Sequence, residues 1–208
     1  MADWVTISSL ATAGGTLVLA AATFAAVRSS NASARIAEAA LAEQRRPILV
    51  NSRLDDATQK IGFADGHWLR IDGGHAALAH EDGNVYLAMS LRNVGAGIAV
   101  LQGWYVWPDQ QTGRREHAPV EEFRTQGRDI IVPAGDIGLW QGAIRDRDDA
   151  GHSHVAAALR ERHPLAIDVL YGDNVGGQRS VSRFGLVPAS DGSWLATVSR
   201  HWNLDGLR

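Results

Sequence analysis

Apolar and polar positions along the chain fall into two regimes, and the change comes at Pro47. Before it, the run from Trp4 to Val27 (WVTISSLATAGGTLVLAAATFAAV) holds no charged residue. A bilayer core of ~30 Å needs about 20 helical residues at ~1.5 Å each, so this run predicts a transmembrane helix. Gly14 and Gly15 would weaken a soluble helix but are common in membrane ones, and Trp4 stands where an interfacial aromatic would stand. The next segment, SSNASARIAEAALAEQRRP, is glycine-free and rich in helix formers. It predicts a continuation of the helix to about Gln44, stopped by Pro47, since the residue before a proline avoids helical angles. Ile36, Ala40 and Glu43 do not sustain a heptad, so no coiled coil is inferred. The expected organisation is a transmembrane anchor over 1–27, a helical juxtamembrane stalk over 28–46 and a β domain over 47–208.

After Pro47 the period is two. PILVNSRL reads as a first strand, and HWLRID and HAALAHE flank Gly73-Gly74, an expected hairpin turn. NVYLAMSLRN alternates, with Val85, Leu87, Met89 and Leu91 on one face. GIAVLQGWYVW follows, closed by Pro108. DIIVP, DIGLWQGAI, PLAIDVLYGD, GQRSVSRFGLVP and SWLATVSRHW complete the strands, with YGDNVGGQRS as a hairpin. Two helical pieces interrupt them: APVEEFRTQ, and SHVAAALRERH with Ser153 as N-cap. So many short strands with glycine-rich turns, and so few helices, indicate an antiparallel sandwich or barrel rather than a parallel α/β fold. In LRNVGAGIAV, the strand stops at Asn93 and restarts at Ile98. Gly95 and Gly97 are read as a bend, and at least one is expected to require a positive φ.

One membrane helix, a helical stalk, then RRPILV, LRNVGAGIAV, VPAGD and IDVLYGDNVGGQRSVSRF, resembles a broad set of uncharacterised small bacterial membrane-anchored proteins. The resemblance implies an immunoglobulin-like antiparallel β-sandwich, here with two short helical insertions. SWLATVSRHWNLD is similar to the ending of an actinobacterial branch of that set. It implies no catalytic residue.

Composition narrows the possibilities. The chain has 208 residues, 45% hydrophobic and 21% charged, which is the balance of a folded protein. A formal net charge of -3 argues against a general nucleic-acid binder. The absence of cysteine excludes disulfides, thiolate catalysis and cysteine-based zinc sites. The start Met1-Ala2-Asp3 lacks the positive n-region of a cleaved signal peptide, which favours an uncleaved anchor. Arg28, Arg35, Arg45 and Arg46, against Glu38 and Glu43, favour a cytoplasmic domain, with an exported one as the alternative. Ala11 and Gly15 form one small-xxx-small pair that would allow helix self-association.

Candidate chemistry is sparse. His152 and His154 with Asp146, Asp148 and Asp149 could hold a metal, but residues two apart at a helix start diverge, and a solvated loop is favoured. Ala157 stands where an EF-hand needs Glu. GHSHV lacks the last glycine of a nucleophile elbow. Glu121 and Glu122 point apart on a helix and are read as a solvated face. No cofactor is inferred. The tryptophans are the remaining signal: an exposed indole makes a good partner anchor, and Trp104, Trp107 and Trp140 are the candidates. Alternation puts Trp104 and Trp107 on opposite faces unless a bulge intervenes, and Trp194, Ala196 and Val198 read as core. The expected function is a non-enzymatic, membrane-anchored module that binds a protein partner. The alternatives are a structural spacer of the envelope and a membrane-tethered hydrolase using His152 or His154.

Overall fold

The computed structural model describes residues 4–107, 116–149 and 151–205. Met1-Ala2-Asp3 and Pro108 lie outside the described residues, and of Trp4 and Ala11 only the helical backbone is described. The chain divides into two compact units, Met1–Glu43 and Gln44–Arg208.

The first unit is one unbroken helix, α1 (Trp4–Gln44, 41 residues), so the segments expected as anchor and stalk form a single element. At ~1.5 Å per residue it is about 60 Å long, roughly twice a bilayer core. Its span Ser8–Leu41 is long and apolar enough to cross a membrane. Leu10, Leu17, Val18, Leu19, Phe24 and Val27 are all exposed. Leaving six such side chains in water costs on the order of 10 kcal/mol, which favours an apolar environment for the helix. Its hydroxyls suit one. Thr12, Thr16 and Thr23 donate to the carbonyls of Ser8, Thr12 and Leu19 at 2.8–2.9 Å, hiding the polar groups in the helix's own backbone.

The second unit is mainly antiparallel β: β1 (Leu49–Asn51), β2 (Gln59–Gly62), β3 (Trp68–Ile71), β4 (His75–Glu81), β5 (Asn84–Asn93), β6 (Ala99–Trp107), β7 (Arg124–Thr125), β8 (Ile131–Val132), β9 (Ile137–Ile144), β10 (Leu165–Gly172), β11 (Arg179–Pro188) and β12 (Trp194–Asn203), with one helix, α2 (His152–Glu161), between β9 and β10. Ten strands make one ladder, β1-β5-β4-β12-β11-β10-β6-β7, with β9 on the other edge of β5 and β8 on β6. The β4–β12 link is only two residue pairs long, Ala76 with Trp194 and His75 with Leu195. The ladder folds over there, so that Leu87 and Met89 of β5, Trp140 of β9, Ile167 and Val169 of β10 and Phe184 of β11 share one core.

The sequence pattern explains most of this and misleads in places. Val85, Leu87, Met89 and Leu91 face the core as expected, but Tyr86 and Ala88 on the other face are buried too, beneath Ile61, Phe63 and Ile71 of the β2–β3 region. The expected Gly73-Gly74 hairpin does not form. β3 pairs with β2 in a separate two-stranded sheet, while β4 pairs with β5 across Asp82-Gly83, whose φ values of 52° and 81° fit a primed hairpin turn. APVEEFRTQ holds only a 3-10 turn, Val120–Glu122, before β7. Gly151, not Ser153, is the N-cap of α2, with no side-chain cap bond. Val198 leaves the core at 36% exposure.

Neither Gly95 nor Gly97 has a positive φ. What they provide is room: a Cβ at Gly95 would strike the backbone of Arg46–Ile48, and one at Gly97 the carbonyl of Arg45. Asn93, fully buried, organises the crossing. Its Oδ1 accepts from Ile48 N and Gly95 N, and its Nδ2 donates to Gly97 O at 2.7 Å and Val132 O at 3.2 Å.

Candidate functional site

The folded-over ladder does not close. β9 is the outer strand at one end and β6, carrying β7 and β8, stands at the other, and the seam between them holds a cleft of about 250 Å³. Local register explains the gap. Gln126 N donates to Gln102 O at 2.9 Å and Leu101 N to Ile130 O at 2.7 Å. Adjacent residues of β6 therefore bond to residues four apart, and Gly127-Arg128-Asp129 is extruded from the edge. Asp129 takes φ 50° in this loop, a conformation side-chain-bearing residues resist.

Two glutamines hold the loop. Gln126 Nε2 donates to Arg128 O at 2.7 Å and crosses the seam to Gln141 O at 3.1 Å, while Gln141 Nε2 donates to the Asp129 carboxylate. These acceptors fix both amide orientations, because only the nitrogen can donate to a carbonyl or a carboxylate. Both Oε1 atoms are then buried with no donor. Such atoms are uncommon in folded proteins and mark strain or a ligand position.

Three arginines line the same cleft. Arg124 gives Nη2 to both oxygens of Asp149 at 2.7 Å and lies 5.0 Å over the Trp104 ring. Arg145 gives Nε to Asp65 at 3.0 Å. Each keeps further N–H groups of its guanidinium. Arg128 is exposed on the extruded loop, with no ion pair among the described residues. The carboxylates are not in the cleft wall, where no acidic residue stands among the described ones. Burial alone would raise the Asp65 carboxyl, but hydrogen bonds from Tyr86 and Arg145 outweigh it and bring it down to about 2. Burial would likewise raise Asp149, but hydrogen bonds from Arg124 and the Gly151 N–H outweigh it and hold its carboxyl below the ordinary range. Both stay ionised at ordinary pH and hold their arginines in place.

The expected tryptophan anchors are corrected. Trp104, Trp107 and Trp140 are 4%, 9% and 0% exposed, so none is an exposed indole, and of the three only Trp104 lines the cleft. A bulge in the β6–β10 register between Leu101 and Gly103 moves the inward parity from Ala99 and Leu101 to Trp104 and Val106. Trp104 meets Trp140 edge to face at 5.4 Å, in space that Gly142 leaves open. Trp107 faces the other way, against Ala118 and Ala166. Among the described residues the exposed indole is Trp68, at 59%, lying over Gly62 of β2 with Lys60 5.2 Å from its ring. Its position on an edge hairpin was not foreseen, because QKIG carries too little apolar signal to read as a strand.

The residues weighed for chemistry do not converge. His152 is buried with Nε2 2.8 Å from Gly83 O, and His154 is exposed. Asp149 is committed to Arg124 and Gly151, and Glu121 and Glu122 are both exposed. Among the described residues no three His, Asp or Glu side chains gather as a metal site. Ser182, His201 and Asn203 form a chain of 3.1 and 2.9 Å contacts that resembles a hydrolytic arrangement. Ser182 Oγ, however, is buried and already shared between Tyr171, His201 and the Leu49 carbonyl, so it has no capacity left for a substrate.

Comparison of the chain with known protein families, curated proteins and solved structures finds no match.

Proposed function

We propose that the protein is a single-pass, membrane-anchored interaction module, with an uncleaved anchor and an immunoglobulin-like β domain that engages a protein partner at the seam between β9 and β7. The observation that carries the reading is the cleft itself: two buried amide oxygens that, among the described residues, have no donors, beside an arginine with no ion pair among them, on a loop extruded from a strand edge. Strand edges and loops are where such folds bind. Anchoring is supported by an apolar helix whose large side chains have no protein core to enter. The arginines after Val27 favour a cytoplasmic domain, and the bacterial kinship rests on the strand and turn signatures.

A photo-crosslinking residue placed at Ala64, exposed on the cleft rim, tests this in intact cells against one at Glu161, exposed on α2. The reading expects an adduct with a second protein from position 64 alone, lost with Arg128→Glu. Equal adducts from both positions, or none, would reject it. Because the chain has no cysteine, Ser193→Cys supplies a single label site for sidedness. A cytoplasmic domain reacts with a membrane-impermeant maleimide only after lysis.

A further inference from the structure

The seam cleft presents two kinds of unmet hydrogen-bonding capacity. Its charged wall residues are all arginines: Arg128 unpaired, Arg124 using only Nη2 and Arg145 only Nε. Planar guanidinium forks suit a carboxylate. Its buried polar atoms are acceptors, Gln126 Oε1 and Gln141 Oε1, which call for N–H donors. Sulfate and halides offer no donor, hydrogen phosphate offers O–H but no N–H, and an apolar ligand satisfies neither set. A peptide supplies both, an acidic side chain and backbone amides, in one extended unit. The volume of about 250 Å³ holds roughly one residue with its flanking amides. The outer edge of β9 lies alongside, with its Gln141 carbonyl already turned toward the seam.

We propose that the cleft recognises an acidic residue of an extended peptide, the carboxylate taken by Arg128 with the free N–H groups of Arg124 and Arg145, and the backbone N–H groups by Gln126 Oε1 and Gln141 Oε1. This rests on the interaction-module reading and names its ligand chemistry. Asp129, which Gln141 already holds, positions the loop and takes no part in the contact.

The test uses the full chain in detergent micelles and three tripeptides: N-acetyl-Gly-Glu-Gly amide, its Gln counterpart, and the Glu peptide N-methylated at all three residues and ending in a dimethylamide. Binding is read by calorimetry or NMR, with inorganic phosphate as a competitor. The proposal expects saturable binding of the Glu peptide, about tenfold weaker for the Gln peptide, and about tenfold weaker for the N-methylated one, since each lost charge-assisted or buried hydrogen bond is worth roughly that factor. Arg128→Ala should weaken the Glu peptide similarly while the thermal melt stays unchanged. Equal affinity for Glu and Gln peptides overturns the carboxylate assignment. Equal affinity for methylated and unmethylated peptides, with phosphate competing fully, overturns the peptide assignment in favour of a plain anion site. Crosslinking at Ala64 without Glu-peptide binding rejects this ligand chemistry alone. Glu-peptide binding without crosslinking rejects the module reading and leaves the chemistry standing.

Discussion

Two regions of the β domain combine arginine, carboxylate and tryptophan, and they use them in opposite ways. On the outer face of β10, Asp168 is fully buried and accepts four hydrogen bonds: Arg183 Nε at 2.6 Å, Arg183 Nη2 at 2.8 Å, Trp107 Nε1 at 2.9 Å and Ala118 N at 3.1 Å. Arg183 lies between the Trp107 and Trp202 rings, 5.2 and 5.1 Å from their centroids, and also donates to Glu116 O. At the seam, Arg124 over Trp104 looks similar, but among the described residues Arg128 has no ion-pair partner and two amide oxygens have no donor. A saturated network has no capacity left for a ligand and serves the fold. An unsaturated one, opening on a cleft, has capacity to spare. Residue types are the same in both places, and what separates them is the accounting of donors and acceptors.

That contrast can be broken experimentally, starting where the effect is largest. Arg183→Met should destabilise the domain by about 3–5 kcal/mol, because it leaves Asp168 buried without its cation. Denaturant titration followed by tryptophan fluorescence measures it, and a loss below about 1 kcal/mol would mean the network is not structural. Asn93→Ala is the next case, a saturated hub without charge. It strands four backbone groups of the β1, glycine-loop and β8 crossing. A loss of about 3 kcal/mol is expected in the same titration.

Asp65 sits between the two extremes, saturated by Tyr86, Arg145 and the His67 N–H yet at the cleft rim. Its folded pKa of about 2 lies below the ordinary 3.8, so its contribution is present above pH ~4 and lost as pH falls toward 2. Melting temperature should drop over that window, and the drop should be smaller in Asp65→Asn. An unchanged slope would show that the ion pair adds nothing to the fold.

How far the sequence foretold this differs between the two regions. Strands with clean alternation or strong turns were legible: β5 from its Val85–Leu91 face, the β10–β11 hairpin from its Gly-Asp-Asn turn, α1 from its uncharged run. Pairing was less so. Gly73-Gly74 and Asp82-Gly83 both look like hairpin turns, and only tertiary packing sends β3 to β2 instead of β4. Trp104 and Trp107 could not be placed, because the bulge that turns Trp104 inward shows only in the pairing of β6 with β10. The cleft was illegible. Gln126 and Gln141 are ordinary polar residues in local view, and their unmatched oxygens exist only once Asp129 and two carbonyls have claimed the nitrogens. One signal was available: Gly127 interrupting FRTQGRDIIV, as an isolated glycine in a strand pattern marks a bulge.

The most direct test pairs both readouts in one variant of the full chain in micelles. For Arg128→Ala, stability and affinity for the acidic tripeptide are measured side by side. Unsaturated capacity reserved for a ligand predicts a stability change within about 0.5 kcal/mol, as for a surface substitution, together with about tenfold weaker binding. A stability loss comparable to that of Arg183→Met with affinity unchanged would contradict it, and would make the seam one more piece of the fold.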